Sequence, residues 1–587
     1  MAEEKTVSTL LLAGNEAVAQ GAADGAVDVA CAYPGTPSTE ILETIAARHA
    51  EIDAAWSPNE KVALEVGMGA AFTGARVLVT MKHVGVNVAA DPLFTLSYTG
   101  TKGGLVIVTA DDPAMHSSQN EQDNRQYAPF AKIPMLEPSD SQEAYDFMRL
   151  GLELSERYDT PIFLRMTTRV CHSKSVVHTR PPEKIEREKV FEKDQSKWVM
   201  VPAYARARHA VIEKRTETVR EWAESEESVN RIEPGEGKVG IITAGVPYTY
   251  VKEIMPDAPV LKLGMCHPLP DQMIRTFCEG LDEVYVIEEL APYLENYLKA
   301  MGIEVKTKPV EMRQNELNPD KVADILGVAR KSVEVPADLP GARPPVLCPG
   351  CPHRATYTVL KKLKTTVTGD IGCYTLGALP PLVSVDTCVC MGGGMGHAMG
   401  MSKVLDEDKR KKVVAVIGDS TFVHSGLTGL IDMVYNGGDT TTLILDNRTT
   451  AMTGGQDHPA TGKALSGKDA PEMDIEAVCR AIGVKFVETV NPYELEESER
   501  VVRAAMDHDG PAVVIEKAPC VLIDRKKRII PYAVDAAACK ACGLCARTGC
   551  PAISESDDSY EINPERCRAC GLCEQLCKFG AISQAGG

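Results

Sequence analysis

The cysteines near the C-terminal end of the chain carry its clearest chemical signal. Of 19 cysteines in 587 residues, eight fall between Cys539 and Cys577. They form two runs, which are Cys539, Cys542, Cys545 and Cys550, then Cys567, Cys570, Cys573 and Cys577. A cubane iron–sulfur cluster needs three thiolates from one tight loop and a fourth from elsewhere, and a doubled run supplies both sets. The spacing therefore predicts two [4Fe-4S] clusters and a segment that moves single electrons.

Two other uses of such cysteines fit less well. Structural zinc sites usually pair two Cys-x-x-Cys units across a longer loop, and disulfide scaffolds are small exported proteins. The runs instead resemble those of two-cluster ferredoxins, in which the fourth cysteine of each run binds the other cluster. The resemblance implies one cluster on Cys539, Cys542, Cys545 and Cys577 and a second on Cys550, Cys567, Cys570 and Cys573. Two departures are an extra residue before Cys550 and the replacement of the usual final proline by Lys578.

A second signal lies where two predicted strands end. The apolar strand 413–417 runs into Gly418-Asp419-Ser420, and the strand 442–445 runs into Asp446-Asn447-Arg448-Thr449. A glycine at a strand end lets the backbone approach a diphosphate, while Asp419 and Asn447 offer hard oxygen ligands to Mg²⁺. The pattern resembles the thiamine diphosphate motif, with Ser420 in place of its last glycine. That resemblance implies a carbonyl near Thr449 as a further metal ligand and adds the glycine-rich segment 391–398, with Gly394 and His397, to the cofactor site.

Thiamine chemistry also needs a carboxylate beside the aminopyrimidine ring of the cofactor. Glu60 opens a predicted helical stretch that ends at 69–74 and is followed by a predicted strand at 75–80. This segment looks like the pyrimidine-binding segment of 2-oxoacid:ferredoxin oxidoreductases, and the resemblance implies that Glu60 is the catalytic glutamate. Glu65 is the competing choice, and a solvated glutamate in the first turn of a helix is the ordinary alternative.

The segment Tyr33-Pro34-Gly35-Thr36-Pro37 resembles a further loop of the same family, Tyr-Pro-x-Thr-Pro. The resemblance implies that Thr36 meets the carboxylate of the substrate, although such a sequence is also an ordinary turn. His83 and the polar loop 116–120 are further candidates for the pocket wall. A lone histidine is more often a structural residue, so the alternative for His83 is a satisfied buried side chain.

A third cluster is a further metal site that the sequence suggests. Cys348-Pro349-Gly350-Cys351-Pro352-His353 precedes the predicted diphosphate domain, Cys373 follows a glycine, and Cys520 follows a predicted strand. In relatives that hold a cluster near the thiamine, cysteines in such positions are ligands, so the resemblance implies Cys348, Cys351, Cys373 and Cys520. Buried thiols without a metal are the alternative.

The pattern of apolar runs predicts the elements that position these residues. Short apolar runs at 77–79 and 105–108, and again at 239–243 and 413–417, alternate with segments of helical period. This alternation is typical of α/β domains with parallel sheets. The net charge of −19 argues against a general binder of nucleic acid, and the first five residues lack the layout of a signal peptide. We expect a cytoplasmic protein with no membrane span.

The combined motifs resemble the alpha, or large, subunit of indolepyruvate ferredoxin oxidoreductases across nearly the whole chain. The resemblance implies an α/β fold with two thiamine diphosphate-binding parallel-sheet domains, a transketolase C-terminal-like α/β domain and a two-cluster ferredoxin domain. The expected boundaries are 1–180 for the pyrimidine-binding domain, 181–238 for a charged linker, 239–335 for the transketolase C-terminal-like domain, 336–528 for the diphosphate-binding domain and 529–587 for the ferredoxin domain.

The family resemblance also implies a reaction and partners. The reaction is oxidative decarboxylation of an aryl 2-oxoacid with coenzyme A, giving an acyl-CoA and CO₂, with electrons passed through the clusters to ferredoxin. A smaller beta subunit would complete the enzyme as a dimer of alpha–beta pairs, and the basic run Arg525–Arg528 is a candidate docking patch for ferredoxin. Three alternatives stay open: another 2-oxoacid substrate, a non-oxidative thiamine-dependent decarboxylase, or a subunit that only transfers electrons.

Overall fold

The computed structural model describes residues 7–183, 185–330, 344–524 and 529–585. They belong to two compact units, Met1–Val335 and Pro336–Gly587. The basic run Arg525–Arg528 lies outside the described residues. Within the described ranges, no helix has both the length and the apolar composition needed to cross a membrane.

The first unit holds fourteen strands and fourteen α-helices within its described residues. The strands are β1 Thr9–Ala13, β2 Val29–Ala32, β3 Asp53–Trp56, β4 Val77–Lys82, β5 Leu105–Asp111, β6 Met135–Leu136, β7 Ile162–Thr167, β8 Lys174–His178, β9 Arg231–Glu233, β10 Val239–Ala244, β11 Val260–Leu263, β12 Met265–His267, β13 Glu283–Ile287 and β14 Lys306–Thr307. The helices are α1 Gly14–Asp24, α2 Thr39–Arg48, α3 Glu60–Phe72, α4 His83–Val88, α5 Ala90–Thr99, α6 Tyr127–Ala131, α7 Ser141–Tyr158, α8 Thr168–His172, α9 Gln195–Trp198, α10 Pro202–Ala223, α11 Pro247–Ile254, α12 Asp271–Cys278, α13 Tyr293–Ala300 and α14 Pro319–Leu326.

Two mainly parallel sheets organise this unit. The larger has the strand order β12-β6-β7-β5-β4-β2-β3, and the smaller has the order β14-β13-β10-β11-β9. β4 and β5 are apolar runs with side chains buried on both faces, as expected for parallel strands covered by helices. Within these two sheets, the edge strands β12 and β9 run antiparallel to their neighbours. β12 lies in the predicted third segment of the chain but extends the sheet of the first, a pairing that the apolar pattern did not predict.

The predicted charged linker at 181–238 contains a long helix that packs on the first predicted domain. Its helix α10 buries Ile212, Arg215 and Val219 at helical spacing. Arg208 donates through Nε to the Tyr98 carbonyl at 2.6 Å, and Arg215 donates through Nη2 to the Ser97 carbonyl at 2.8 Å. Arginines therefore fasten α10 to the end of α5, because their guanidinium groups satisfy carbonyls that the helix end leaves without a partner.

A buried ion network ties the loops of the two sheets together. Arg125 donates to Asp123 Oδ2 at 2.6 Å and to Glu288 Oε2 at 2.8 Å. Arg165 donates to Asp111 Oδ2 at 2.8 Å and also pairs with Glu137. Both guanidinium groups are almost fully buried. Buried charges of this kind persist only when opposite charges and hydrogen bonds compensate their lost hydration.

The second unit has its own parallel sheet and a small cysteine-rich tail. Its strands are β15 Thr366–Thr368, β16 Val413–Gly418, β17 Thr441–Asp446, β18 Phe486–Val490, β19 Ala512–Lys517, β20 Tyr532–Val534, β21 Ile553–Ser556, β22 Ser559–Ile562 and β23 Ile582–Gln584. Its helices are α15 His353–Leu363, α16 Gly393–Ser402, α17 Glu407–Arg410, α18 Asp419–Thr421, α19 Leu427–Tyr435, α20 Ile475–Ile482, α21 Leu495–Asp507 and α22 Leu572–Leu576. The sheet order is β15-β16-β17-β19-β18, with every neighbouring pair parallel. The tail contains two antiparallel pairs, β20 with β23 and β21 with β22.

Candidate active site and cysteine centres

Glu60 is the first residue of α3 and is buried. Asn59 caps the helix, since its side-chain oxygen accepts a hydrogen bond from Val62 N at 2.9 Å. The Glu60 side chain lies against the backbone of Gly85 in α4, where a Cβ atom would stand 2.7 Å from Glu60 Oε1. Glu65, the competing choice, is exposed and pairs with Lys61 on the helix surface. Of the two glutamates, only Glu60 is enclosed by the fold.

Lys82, at the end of β4, is a site residue that the motifs did not indicate. Its Nζ donates to the Ser117 carbonyl at 3.0 Å, and its aliphatic stem packs against Gly35. Burial lowers the pKa of Lys82 to about 8, while the carboxylates of Asp112 and Glu60 oppose that shift. Lys82 is thus a cation whose electrostatic neighbours include the candidate catalytic glutamate, and whose stem touches the loop that carries Thr36.

The remaining pocket candidates of the first unit meet at the same strand ends. The Ser117 hydroxyl donates to the Thr36 carbonyl at 3.4 Å, so the loop 116–120 contacts the Thr36 loop. His83 Nε2 lies 3.2 Å from the Asn120 carbonyl, and burial lowers the pKa of His83 to about 4. His83 is therefore a neutral, buried imidazole at ordinary pH, held against the same loop.

In the second unit, Asp419 and Asn447 follow the adjacent strands β16 and β17. Asp419 accepts hydrogen bonds from Ser420 N through Oδ1 and from Arg448 N through Oδ2, both at 2.8 Å. The Asn447 side-chain oxygen accepts from Thr449 N at 3.2 Å. Parallel neighbouring strands end at the same sheet edge, and this is what brings the two loops together. The three candidate Mg²⁺ ligands are all buried.

The glycine-rich segment forms the N-terminal end of α16. Gly392 precedes the helix with φ 75°, and its N–H donates to Asp370 Oδ2 at 3.1 Å. A Cβ atom on Gly394 would stand 2.7 Å from the Thr368 carbonyl oxygen, so only glycine allows this approach of helix to strand. His397 Nδ1 is buried and has no hydrogen-bond partner among the described residues. A helix N-terminus with an unsatisfied buried nitrogen suits a diphosphate group, which offers both negative charge and acceptors.

The Cys-Pro-Gly-Cys-Pro-His segment contacts the loop that carries Asn447. His353 Nε2 lies 3.4 Å from Asn447 Nδ2, and Cys520 N donates to the Asn447 carbonyl at 2.9 Å. Burial lowers the pKa of His353 to about 4. The contact of His353 with Asn447 was not predicted, because it joins positions 94 residues apart in the chain.

The four cysteines proposed for a third cluster are near one another. Burial raises the pKa of Cys351, and the neighbouring thiols of Cys373 and Cys348 add to that shift. Burial likewise raises the pKa of Cys373 to about 11, with Cys520 and Cys348 as its charged neighbours. The fold therefore gathers cysteines from three separate segments beside the Asn447 loop.

The tail cysteines surround two cavities. One is lined by Cys539, Cys542, Cys545 and Cys577. The other is lined by Cys550, Cys567, Cys570 and Cys573. Among the described residues, no three His, Cys, Asp or Glu side chains form a group that could hold a metal ion. The grouping of the eight cysteines around the two cavities follows the two sets that the ferredoxin resemblance implies.

Three segments of the chain match known protein families. The family model "Pyruvate flavodoxin/ferredoxin oxidoreductase, thiamine diP-bdg" matches residues 20–234. "Thiamine pyrophosphate enzyme, C-terminal TPP binding domain" matches residues 370–516, and "4Fe-4S binding domain" matches residues 560–583. The indolepyruvate oxidoreductase subunit IorA of Archaeoglobus fulgidus is 42% identical over 614 residues, covering 98% of this chain and 97% of the relative. The chain belongs to the IorA family of indolepyruvate oxidoreductase subunits.

Two further relatives are a second IorA subunit and a more distant subunit that matches part of the chain. IorA of Pyrococcus horikoshii is 40% identical over 635 residues, covering 99% of this chain and 98% of that subunit. The 2-oxoglutarate synthase subunit KorB of Archaeoglobus fulgidus is 27% identical over 199 residues, covering 31% of this chain and 73% of KorB. This IorA-family chain is therefore an oxidoreductase subunit with thiamine diphosphate-binding and iron–sulfur-binding domains, and its α/β fold class is confirmed.

Proposed function

We propose that this chain is the large subunit of an enzyme that oxidatively decarboxylates aryl 2-oxoacids such as indolepyruvate. The 2-oxoacid anion and coenzyme A would give an acyl-CoA, CO₂, one proton and two electrons, and the electrons would pass to ferredoxin. The observation that carries the proposal is the junction in the second unit, where the Asn447 loop hydrogen-bonds to segments bearing the cysteines of the proposed third cluster. A decarboxylase without redox chemistry has no use for cysteine centres at that place.

The residues of the second unit fit a bound Mg²⁺–diphosphate group. Asp419 and the Asn447 side chain would supply oxygen ligands to the metal, and the Thr449 carbonyl would supply a third. The N-terminal end of α16, with Gly394 and His397, would receive the phosphate oxygens. Gly418 and Ser420 would lie beside them. Bound thiamine diphosphate supplies a nucleophilic carbon and an electron sink for the decarboxylation.

In the first unit, Glu60 would hold a proton at the aminopyrimidine ring, and its enclosure would keep water from that carboxylate. Thr36 would orient the carboxylate of the substrate. The cation of Lys82, beside both, supports an anionic ligand at this place, because it would offset the negative charge of an incoming 2-oxoacid.

The eight tail cysteines would hold two [4Fe-4S] clusters as the exit path for electrons, and Cys348, Cys351, Cys373 and Cys520 would hold a third. We further propose a smaller beta subunit as partner, in a dimer of alpha–beta pairs, with coenzyme A as co-substrate. We also propose the predicted domain boundaries with one change: 181–238 is joined to the pyrimidine-binding domain, which leaves four domains, since α10 packs on α5.

The test is anaerobic co-purification with the small subunit, followed by dye reduction with aryl and aliphatic 2-oxoacids and an iron count. Two clusters correspond to about eight irons per chain and three to about twelve. Glu60→Gln should abolish 2-oxoacid-dependent reduction while leaving iron content unchanged. Glu65→Gln, an equal change at the exposed glutamate of the same helix, should keep full activity.

Two results would overturn the proposal. One is reduction by 2-oxoacid at an undiminished rate in Glu60→Gln. The other is CO₂ release by the wild-type complex without any electron acceptor, which would identify a non-oxidative decarboxylase. Faster dye reduction with aliphatic than with aryl 2-oxoacids would support the same reaction with a different class of substrate.

A further inference from the structure

Arg354, the residue after His353 in α15, is a buried cation without an acidic partner among the described residues. It is 2% exposed. Its guanidinium donates through Nε to the Cys348 carbonyl at 3.0 Å, through Nη1 to the Thr548 carbonyl at 2.8 Å, and through Nη2 to the Leu347 carbonyl. In the part of the chain that the structure describes, no carboxylate lies within ion-pair distance of Arg354. Carbonyls satisfy its donors but do not neutralise its charge, and a buried charge without a counter-charge is strongly unfavourable.

The three carbonyls belong to two cysteine segments that are far apart in sequence. Leu347 and Cys348 begin the Cys-Pro-Gly-Cys segment, whereas Thr548 precedes Cys550 of the tail by two residues. Arg354 therefore joins the segment proposed for the third cluster to the segment proposed for a tail cluster. Both belong to the second unit.

The surroundings of the guanidinium contain sulfur where acidic side chains would be expected. Arg354 lines the same cavity as Cys550, Cys567, Cys570 and Cys573. Cys348 and Cys351 of one set and Cys550 and Cys570 of the other are close enough to interact electrostatically with the guanidinium. Ionised thiolates in both sets would therefore face the same cation.

We propose that Arg354 is the shared counter-ion of two iron–sulfur clusters, one on Cys550, Cys567, Cys570 and Cys573 and one on Cys348, Cys351, Cys373 and Cys520. The inference rests on the proposed function for the presence of both clusters. A cubane with four thiolates is an anion, and one-electron reduction adds a further negative charge. A fixed cation nearby stabilises the reduced form more than the oxidised form and so raises both reduction potentials. Arg354 keeps its proton in both redox states, because a guanidinium does not lose its proton at ordinary pH.

The test is an anaerobic redox titration of the purified complex, followed by electron paramagnetic resonance of the reduced clusters. At the potential where the wild-type clusters are half reduced, Arg354→Gln should lower the ratio of reduced to oxidised cluster at least about tenfold. Tenfold corresponds to a shift of about 59 mV for a one-electron couple. Arg354→Lys keeps the charge and should titrate close to the wild type, even if the loss of the three-carbonyl contact lowers its melting temperature.

Arg547→Gln is the matched control, because Arg547 is an exposed arginine of the tail, close in sequence to Cys550, and its removal changes the net charge equally. Solvent and salt should screen its charge, so the potentials should stay unchanged. Wild-type potentials in Arg354→Gln with iron retained would overturn the inference and leave the proposed function intact. An equal shift in Arg354→Lys and Arg354→Gln would also overturn it, because packing rather than charge would then be responsible.

If Arg354→Gln loses its iron and Arg354→Lys keeps it, the potentials of Arg354→Lys become the test. Wild-type potentials in Arg354→Lys would support the role of the positive charge, and shifted potentials would refute it. Absence of cluster signals from the wild-type complex is a different failure, since it would refute the proposed function itself.

Discussion

The contact between Glu60 and Gly85 allows a test in which the proposed activating carboxylate is kept but displaced. In Gly85→Ala the new Cβ atom would stand 2.7 Å from Glu60 Oε1, 2.8 Å from Cγ and 3.0 Å from Cδ. Ordinary contacts of a Cβ atom begin at 3.4 Å, so the carboxyl group must retreat by about 0.7 Å. A misplacement of about 1 Å in a catalytic constellation can reduce the rate about a hundredfold. We therefore expect a fall of about tenfold to a hundredfold in 2-oxoacid-dependent dye reduction.

The stability of the same variant gives an independent measurement. Overpacking by one methyl group costs about 1–3 kcal/mol, which should appear as a lower free energy of unfolding. Gly69→Ala is the matched control: Gly69 lies in α3 with Glu60, and a Cβ atom there meets nothing within 4 Å. That variant should be up to about 1 kcal/mol more stable and fully active, because alanine favours a helix more than glycine does. Full activity in a folded Gly85→Ala protein would refute the role of Glu60 at this place.

Two further predictions concern charges of the first unit. Arg125→Met should lower the free energy of unfolding by about 3–5 kcal/mol, because buried Glu288 would lose its ion-pair partner and buried Asp123 would keep only Arg165, at 3.5 Å. Urea denaturation checks this, and Arg157→Met, at an exposed arginine, should change the same free energy by less than about 0.5 kcal/mol. A loss below about 1 kcal/mol for Arg125→Met would contradict the reasoning. Burial lowers the pKa of Lys82 to about 8, below its unfolded value of 10.5. Between these two pH values the unfolded state binds more protons than the folded state, so the free energy of unfolding rises with pH. Lys82→Met lacks this pH dependence, so from pH 8 to pH 10.5 the free energy of unfolding of the wild type should rise by about 1–2 kcal/mol relative to that of the variant, as measured by urea denaturation at each pH. A difference that does not change with pH would mean that Lys82 is well solvated.

Local patterns predicted the strand-end residues well, for a physical reason. A buried parallel strand is a short apolar run, and polar residues at its carboxyl end must emerge at one edge of the sheet. Asp419 and Asn447 could therefore be placed together from sequence. Cysteine spacing also indicates which sulfur atoms one tight loop can bring together, while the fourth ligand of each proposed cluster is implied only by the ferredoxin resemblance.

Residues that act across long sequence separations could not be predicted in this way. Lys82 belongs to no recognisable motif, and its contact with Ser117 forms only when the loop 116–120 lies against the end of β4. The pairing of β12 with β6 and the fastening of α10 to α5 depend on tertiary contacts, to which a charged or short segment gives no periodic signal. His353 and Arg354 stood inside a noted cysteine motif, yet their partners lie 94 and 194 residues further on.

Those two neighbours give the second unit a continuous connection from its strand ends to its tail. Asp419 accepts from the backbone of the Asn447 loop, and Asn447 contacts both His353 and the backbone of Cys520. Arg354, next in the chain, donates to the carbonyl of Thr548 beside the second tail cavity. A displacement of the Asn447 loop would thus reach the cysteine segments through His353 and Arg354, which are adjacent in α15. With the proposed clusters bound, these hydrogen bonds to backbone groups would fix the distances over which electrons pass.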